Sequence, residues 1–313
     1  MIGHDAPADA SWQHARVTAP TAFQVHLVDG TYELFRHHFA VPPHLDPAGM
    51  EVAATRGVVG SMLMMLEEGA THVAVATDHI VESFRNDLYD GYKTGEGMEP
   101  LLLAQFPVLE DALRALGVTV WAMVEQEADD GMAAGDRVAG EDARVERVFI
   151  CTPDKDLGQS VVGDRVVQFD RRKGEVRNAE GVRAKFGVPP ASIPDYLGLV
   201  GDTADGFPGL SGWGAKSAGA VLGHYLHLEH IPPLAKDWAV DVRGAVKLAT
   251  TLAEQREDAE LFRLIATLRT DHPVGTVDDW RWAGPTPEFA AWTERLGAPG
   301  MLMRAERLAS QRA

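Results

Sequence analysis

The sequence predicts an α/β fold, a mostly parallel sheet with flanking helices, followed by a helical C-terminal region. Three observations predict it. Short, β-branched-rich runs at Phe23–Val28, His72–Thr77, Val118–Val124 and Val145–Thr152 have the length and composition of buried strands. Stretches of helical length and period, such as Val52–Glu68 and Leu101–Leu116, lie between them, and this alternation implies a doubly wound, largely parallel sheet. From about Ala191 the strand signal stops, and Lys216–Tyr225, Arg243–Glu254 and Asp258–Arg269 follow one another as helices. The chain therefore divides into a polar, aperiodic arm at 1–21, expected to be flexible, an α/β core at 22–190 and a helical region at 191–313.

A length of 313 residues suits about two units or one large α/β domain, and an apolar fraction of 45% fills a substantial core. No apolar run approaches the ~18 residues that a membrane span requires. The N-terminal segment has no apolar stretch between a basic start and a cleavage site, so it does not read as a signal peptide. A single cysteine, Cys151 inside the fourth strand run, excludes an internal disulfide and an all-cysteine zinc site, and reads as a buried, inert thiol. The expected compartment is the cytoplasm. A net charge of −17 argues at first against a nucleic-acid partner, so the placement of the acids decides the question.

In open parallel sheets the ligand crevice lies beyond the carboxyl ends of the strands. Acids follow every strand run: Asp29 after the first, Asp78 after the second, Glu127, Asp129 and Asp130 after the third, and Asp154 and Asp156 after the fourth. Asp202 and Asp205 open the helical region. Taken singly, each reads as a helix N-cap or a solvated turn. Pairs at two separate strand ends exceed what capping requires, and nine carboxylates at one edge repel one another unless cations neutralise them. Oxygen ligands without cysteine or histidine favour Mg²⁺ or Mn²⁺ over Zn²⁺, and two such ions suit metal-assisted phosphoryl chemistry.

Two further segments bear on substrate. Gly206–Ser217 (GFPGLSGWGAKS) fails as a P-loop because Ala215 holds the lysine position and Lys216 comes one residue late. Its glycines, Gly209, Gly212 and Gly214, can instead present backbone N–H groups to a phosphate beside Lys216, or form an ordinary turn between helices. Ser83–Gly97 carries Arg85, Tyr89, Tyr92 and Lys93, cations and aromatics suited to gripping a phosphate and stacking a base at the crevice mouth, although a solvated loop has the same composition. The basic stretch Arg165–Lys185 reads as a hairpin turning near Gly174.

With these residues assembled, the chain resembles the 5′ nuclease family, which includes the 5′ to 3′ exonuclease domain of bacterial DNA polymerase I, stand-alone bacterial flap endonucleases and phage 5′ nucleases. The likeness runs from about Phe23 to Pro273 through LVDG at 27–30, SFR and GYK behind Asp78, EADD at 127–130, TPDKDL at 152–157, GDTADGFPGLSGWGAKSA at 201–218 and LRTDHP at 268–273. The resemblance implies a PIN-like core with an arch segment at about 83–117, and a helix-three-turn-helix element that holds the duplex, with K⁺ as a candidate ion there. It implies that the nine acids bind divalent metal, and that Lys93 reaches the scissile phosphate. The function implied is a stand-alone, Mg²⁺- or Mn²⁺-dependent exonuclease or flap endonuclease of repair and replication, acting on DNA with 5′ ends, flaps or junctions. The oligomeric state is not fixed by the sequence, and a monomer is favoured. Catalytic roles fall to Lys93, Asp78 and Asp130, and DNA contacts to Arg85, Tyr92, Lys93, Gly209, Gly212, Gly214 and Lys216. Two departures stand out: Glu96 where the family commonly has arginine, and Ala204-Asp205-Gly206 where it usually has SDN. They keep open a branched-DNA binder with weakened turnover. A small-molecule phosphohydrolase is the other alternative.

Overall fold

The computed structural model describes residues 22–312. The arm expected at 1–21 lies outside the described residues. Strands β1 (Phe23–Asp29), β2 (His72–Asp78), β3 (Thr119–Met123), β4 (Val145–Cys151), β5 (Val166–Asp170) and β6 (Glu175–Arg177) form one sheet of order β3-β2-β1-β4-β5-β6. Every pairing is parallel except β5 with β6, which closes the hairpin around Gly174. The chain winds outward from β1 through β2 to β3, then returns to place β4 on the other side of β1. That reversal opens a crevice at the carboxyl ends of β1, β2 and β4.

The helices are α1 (Gly30–His38), α2 (Ala53–Glu67), α3 (Phe84–Leu88), α4 (Pro100–Leu103), α5 (Gln105–Leu116), α6 (Ala128–Glu141), α7 (Ala179–Phe186), α8 (Ile193–Val200), α9 (Ala215–Tyr225), α10 (Ala245–Glu254), α11 (Arg256–Ala266), α12 (Phe289–Arg295) and α13 (Gly300–Arg312). Successive strand residues serve opposite faces: Val73 and Val75 pack with α2 and α5, whereas Ala74 and Ala76 pack with α6. Both faces are covered, which is why these strands read as continuous apolar runs. Helices α7 to α11 gather around a separate core that includes Leu197, Phe207, Leu222 and Phe262.

The helical region expected at 191–313 is not one body. After α11 the chain returns to the sheet: Trp282 N–H donates to Thr71 O at 2.8 Å, Trp280 is buried beneath α6, and Phe289, Leu296, Ala305 and Leu308 join the core of α2 and α5. Apolar burial of these side chains, invisible in helical periodicity alone, overrides the sequence boundary. No helix among the described residues is long and apolar enough to cross a membrane.

Candidate active site

The crevice is walled by the predicted acids. Asp29 ends β1; its Oδ1 accepts Tyr32 N–H at 2.7 Å, capping α1, and its Oδ2 accepts the Thr152 hydroxyl at 2.9 Å. Asp78 ends β2, and its Oδ1 accepts Ala128 N–H at 2.7 Å, tying that strand to the start of α6. Asp129 and Asp130 occupy the first turn of α6 behind Glu127. Asp154 Oδ1 accepts Asp156 N–H at 2.9 Å in the loop after β4. Asp202 and Asp205 lie in a tight loop after α8, closed by mutual backbone bonds between Asp202 and Phe207. The capping role is therefore real for Asp29, and Asp78 and Asp130 accept N–H groups at the start of α6, so capping coexists with the cluster.

Carboxylate oxygens of Asp156, Asp202 and Asp205 all lie within 4.8 Å of one another. Asp156 Oδ1 is buried with no hydrogen-bond partner among the described residues. Burial, opposed by the Tyr32 N–H and reinforced by Asp78 and Asp154, pushes the Asp29 carboxyl up to about 7. Burial and the Asp154 and Asp29 charges hold Asp129 well above the carboxylate range, and burial with Asp154, Asp205 and Asp202 does the same to Asp156. Asp78 and Asp205 are also raised by burial, against the pull of Lys93. Such acids resist ionising together without positive charge. A cluster of hard oxygens with an orphaned buried acceptor fits a hard divalent cation.

Two lysines partly meet that need. Lys93 Nζ stands 3.0 Å from Glu127 Oε2 and 2.8 Å from Asp205 Oδ1, and Lys155 Nζ 2.5 Å from Asp202 Oδ2. Burial disfavours the Glu127 carboxylate, but Lys93 and Arg85 outweigh it and hold that group below its ordinary value.

Several expectations are corrected. Arg85 is 2% exposed and cannot meet DNA: its guanidinium bonds both oxygens of Asp130, at 2.7 and 2.8 Å. Asp130, wholly buried, also accepts the N–H groups of Glu127 and Arg269, so it anchors α6 and is not a free metal ligand or catalytic acid. Tyr92 is 4% exposed and donates its hydroxyl to Glu127 Oε2 at 3.1 Å, which removes it from base stacking. Gly209 faces inward; a Cβ there would meet Gly201 N at 2.3 Å, whereas Gly214 faces open space and Gly212 and Lys216 are exposed. Lys93 lies in the irregular segment between α3 and α4, so Glu96 is not one helical turn beyond it; Glu96 sits in an exposed turn, its N–H donating to Thr94 Oγ1 at 3.2 Å.

Sequence reasoning missed residues that orient the acids. Ser83 donates its hydroxyl to Glu127 Oε1 at 2.6 Å, Thr31 Oγ1 accepts Asp78 N–H at 2.8 Å, and Lys155 neutralises Asp202. Only the Ser83-x-x-Asn86 capping spacing left a trace in sequence.

Comparison with known proteins agrees with this geometry. Residues 24–187 match the family model described as 5′-3′ exonuclease, N-terminal resolvase-like domain, and residues 188–288 match 5′-3′ exonuclease, C-terminal SAM fold. The chain belongs to the 5′-3′ exonuclease family. It is 32% identical over 293 residues to DNA polymerase I of Bacillus caldotenax, covering 91% of this chain and 32% of that protein. It is 31% identical over 250 residues to a 5′-3′ exonuclease of Aquifex aeolicus, covering 79% of this chain and 82% of the relative. The chain thus spans about a third of the length of the polymerase relative. Among solved structures, T5 5′-exonuclease with bound zinc aligns over 92% of this chain and 98% of its own, with a TM-score of 0.61 at 17% identity. The catalytic core of Rad2 in complex with DNA substrate aligns over 92% and 93%, with a TM-score of 0.60 at 14% identity. These two likenesses concern the fold of the 5′-3′ exonuclease family.

Proposed function

We propose that this member of the 5′-3′ exonuclease family is a divalent-metal-dependent, structure-specific 5′ nuclease that hydrolyses DNA phosphodiesters near single-strand/duplex junctions. The observation that carries the reading is the acid cluster at the sheet's switch point, with Asp156, Asp202 and Asp205 within 4.8 Å and an orphaned Asp156 oxygen among them. Asp29, Asp78, Asp129, Asp154, Asp156, Asp202 and Asp205 would hold Mg²⁺ or Mn²⁺, with Glu127 acting through its hydrogen bonds. Such ions supply Lewis acidity and positive charge for an in-line displacement at phosphorus.

The chain's own residues do the rest. Lys93 carries its charge between Glu127 and Asp205 and is placed to follow a phosphate into the crevice. Burial favours a neutral Lys93, yet Glu127 and Asp205 keep it protonated, so it acts as an electrostatic clamp and not as a base. Gly212, Gly214 and Lys216, at the exposed start of α9, are assigned the duplex backbone, with K⁺ as a candidate companion ion. The relatives include a 5′-3′ exonuclease and a nuclease core in complex with DNA substrate, which supports DNA as substrate. The test is cleavage of a 5′-flap DNA in Mg²⁺ or Mn²⁺, with product lengths resolved. Metal-dependent products near the junction are expected. Binding without cleavage would select the weakened binder, and hydrolysis of a generic phosphate ester with none of DNA would select a small-molecule phosphohydrolase.

A further inference from the structure

Arg269 lies in the segment that follows α11, outside the acid cluster. Its backbone is fixed between two elements that carry site acids: Arg269 N–H donates to Asp130 Oδ1 at 2.8 Å in the first turn of α6, and Leu268 N–H donates to Gln159 Oε1 at 3.1 Å in the 3₁₀ helix Asp156–Ser160. The guanidinium lies over the Phe84 ring, with Cζ 3.3 Å from the centroid. Phe84 itself is held at the start of α3 by its N–H to Glu125 O at 3.0 Å.

Two arginines therefore approach one ring with different fates. Arg85, 4.5 Å from the Phe84 centroid, is committed to Asp130 and buried. Arg269 is exposed and has no carboxylate partner among the described residues. The nearby Asp271 is engaged by Gln126 at 2.9 Å. Stacking occupies the face of a guanidinium and leaves its N–H edge free, and that edge matches a phosphate in a bidentate fork. In a chain of net charge −17, an unpaired guanidinium held against a ring at this position is available to a phosphate.

We propose that Arg269 is a phosphate-binding residue that grips the DNA backbone at the edge of the site, with Phe84 as the platform that orients it. The proposal rests on the nuclease reading above. The experiment is equilibrium binding of a 5′-flap junction to the full chain in Ca²⁺ across a salt series, for wild type, Arg269→Ala, Arg269→Lys and Phe84→Leu, with thermal melts of each. Arg269→Ala should weaken binding roughly five- to tenfold at ~0.1 M salt, equally for unrelated sequences, and lower the log–log salt slope by about 0.9. Arg269→Lys should restore the slope and only part of the affinity, and Phe84→Leu should reduce affinity while keeping the slope. Unchanged affinity and slope in Arg269→Ala, with wild type binding normally, overturns the proposal. Equal binding losses in the alanine and lysine variants with a lowered melting temperature also overturn it, in favour of a packing role. Failure of wild type to bind the junction instead strikes the nuclease reading.

Discussion

Asp130 and Asp156, one at the start of α6 and one in the loop after β4, illustrate how differently a carboxylate can serve this site. Asp130 is saturated by the Arg85 fork and two backbone N–H groups, whereas Asp156 keeps a buried oxygen unpartnered. Removing one partner of a buried pair leaves an uncompensated charge, so Asp130→Ala should destabilise the protein by ~3–5 kcal/mol. Asp156→Asn relieves repulsion and should leave chelator-treated protein as stable or more so, while weakening Mn²⁺ binding. Urea denaturation in chelator reads both signs; equal losses would erase the distinction. Asp136, on α6 and outside the cluster, offers a cleaner titration. Burial, opposed by Ser160 and Arg137, pushes it up to about 7. The folded state then holds a proton that the unfolded chain releases near pH ~4, so this group makes stability fall by up to ~1.4 kcal/mol per pH unit as pH rises from about 4 to 7. Asp136→Asn should flatten that part of the pH–stability curve, and an unchanged curve would show that Asp136 does not titrate there. The sequence revealed where such acids fall; it could not reveal their partners, because Arg85 and Asp130 are 45 residues apart.

Elements with a strong period were legible. The four strand runs fall within a residue or two of β1 to β4, and α2, α9 and α10 lie close to their expected bounds, since two-sided burial and amphipathic spacing leave direct marks in composition. The segment between α3 and α4 was not, because its form is set by docking onto a distant loop. Lys93 N–H donates to Asp205 O at 2.9 Å, and Gly206, at φ +90°, lies so close that a Cβ would meet Gly91 O at 2.2 Å. The glycine in place of the family's usual asparagine is thus required by this close approach. Gly206→Asn should force the two loops apart, lower stability by ~1–3 kcal/mol and displace Lys93 from Asp205. Melting temperature and flap cleavage should fall together. A variant with wild-type melting and rate would mean that the loops separate without consequence. The late return of Trp280, Trp282 and Phe289 to the sheet leaves no mark in the sequence for the same reason, as a long-range packing event with no local signature.

At the scale of the whole molecule, a net charge of −17 could destabilise the chain in two ways that respond differently to ions. General surface repulsion is screened by any salt once the Debye length falls to ~10 Å, near 0.1 M. Repulsion inside the crevice is not, because Asp29, Asp156 and Asp202 are buried beyond the reach of a diffuse ion atmosphere. Their relief requires a cation seated among the oxygens. Binding to the native state alone stabilises by RT ln(1 + [L]/Kd), about 2.7 kcal/mol at a hundredfold excess over Kd. For a chain of this size that corresponds to a rise of roughly 5 °C in melting temperature. Millimolar Mg²⁺ or Mn²⁺ should therefore raise the melting temperature well beyond KCl of equal ionic strength, and Asp156→Asn should remove most of that difference while leaving the KCl response intact. If KCl matches the divalent ions, the excess charge acts from the surface and the cluster does not seat a cation. If the divalent response survives in Asp156→Asn, a cation binds elsewhere, and the trio of Asp156, Asp202 and Asp205 loses its assignment.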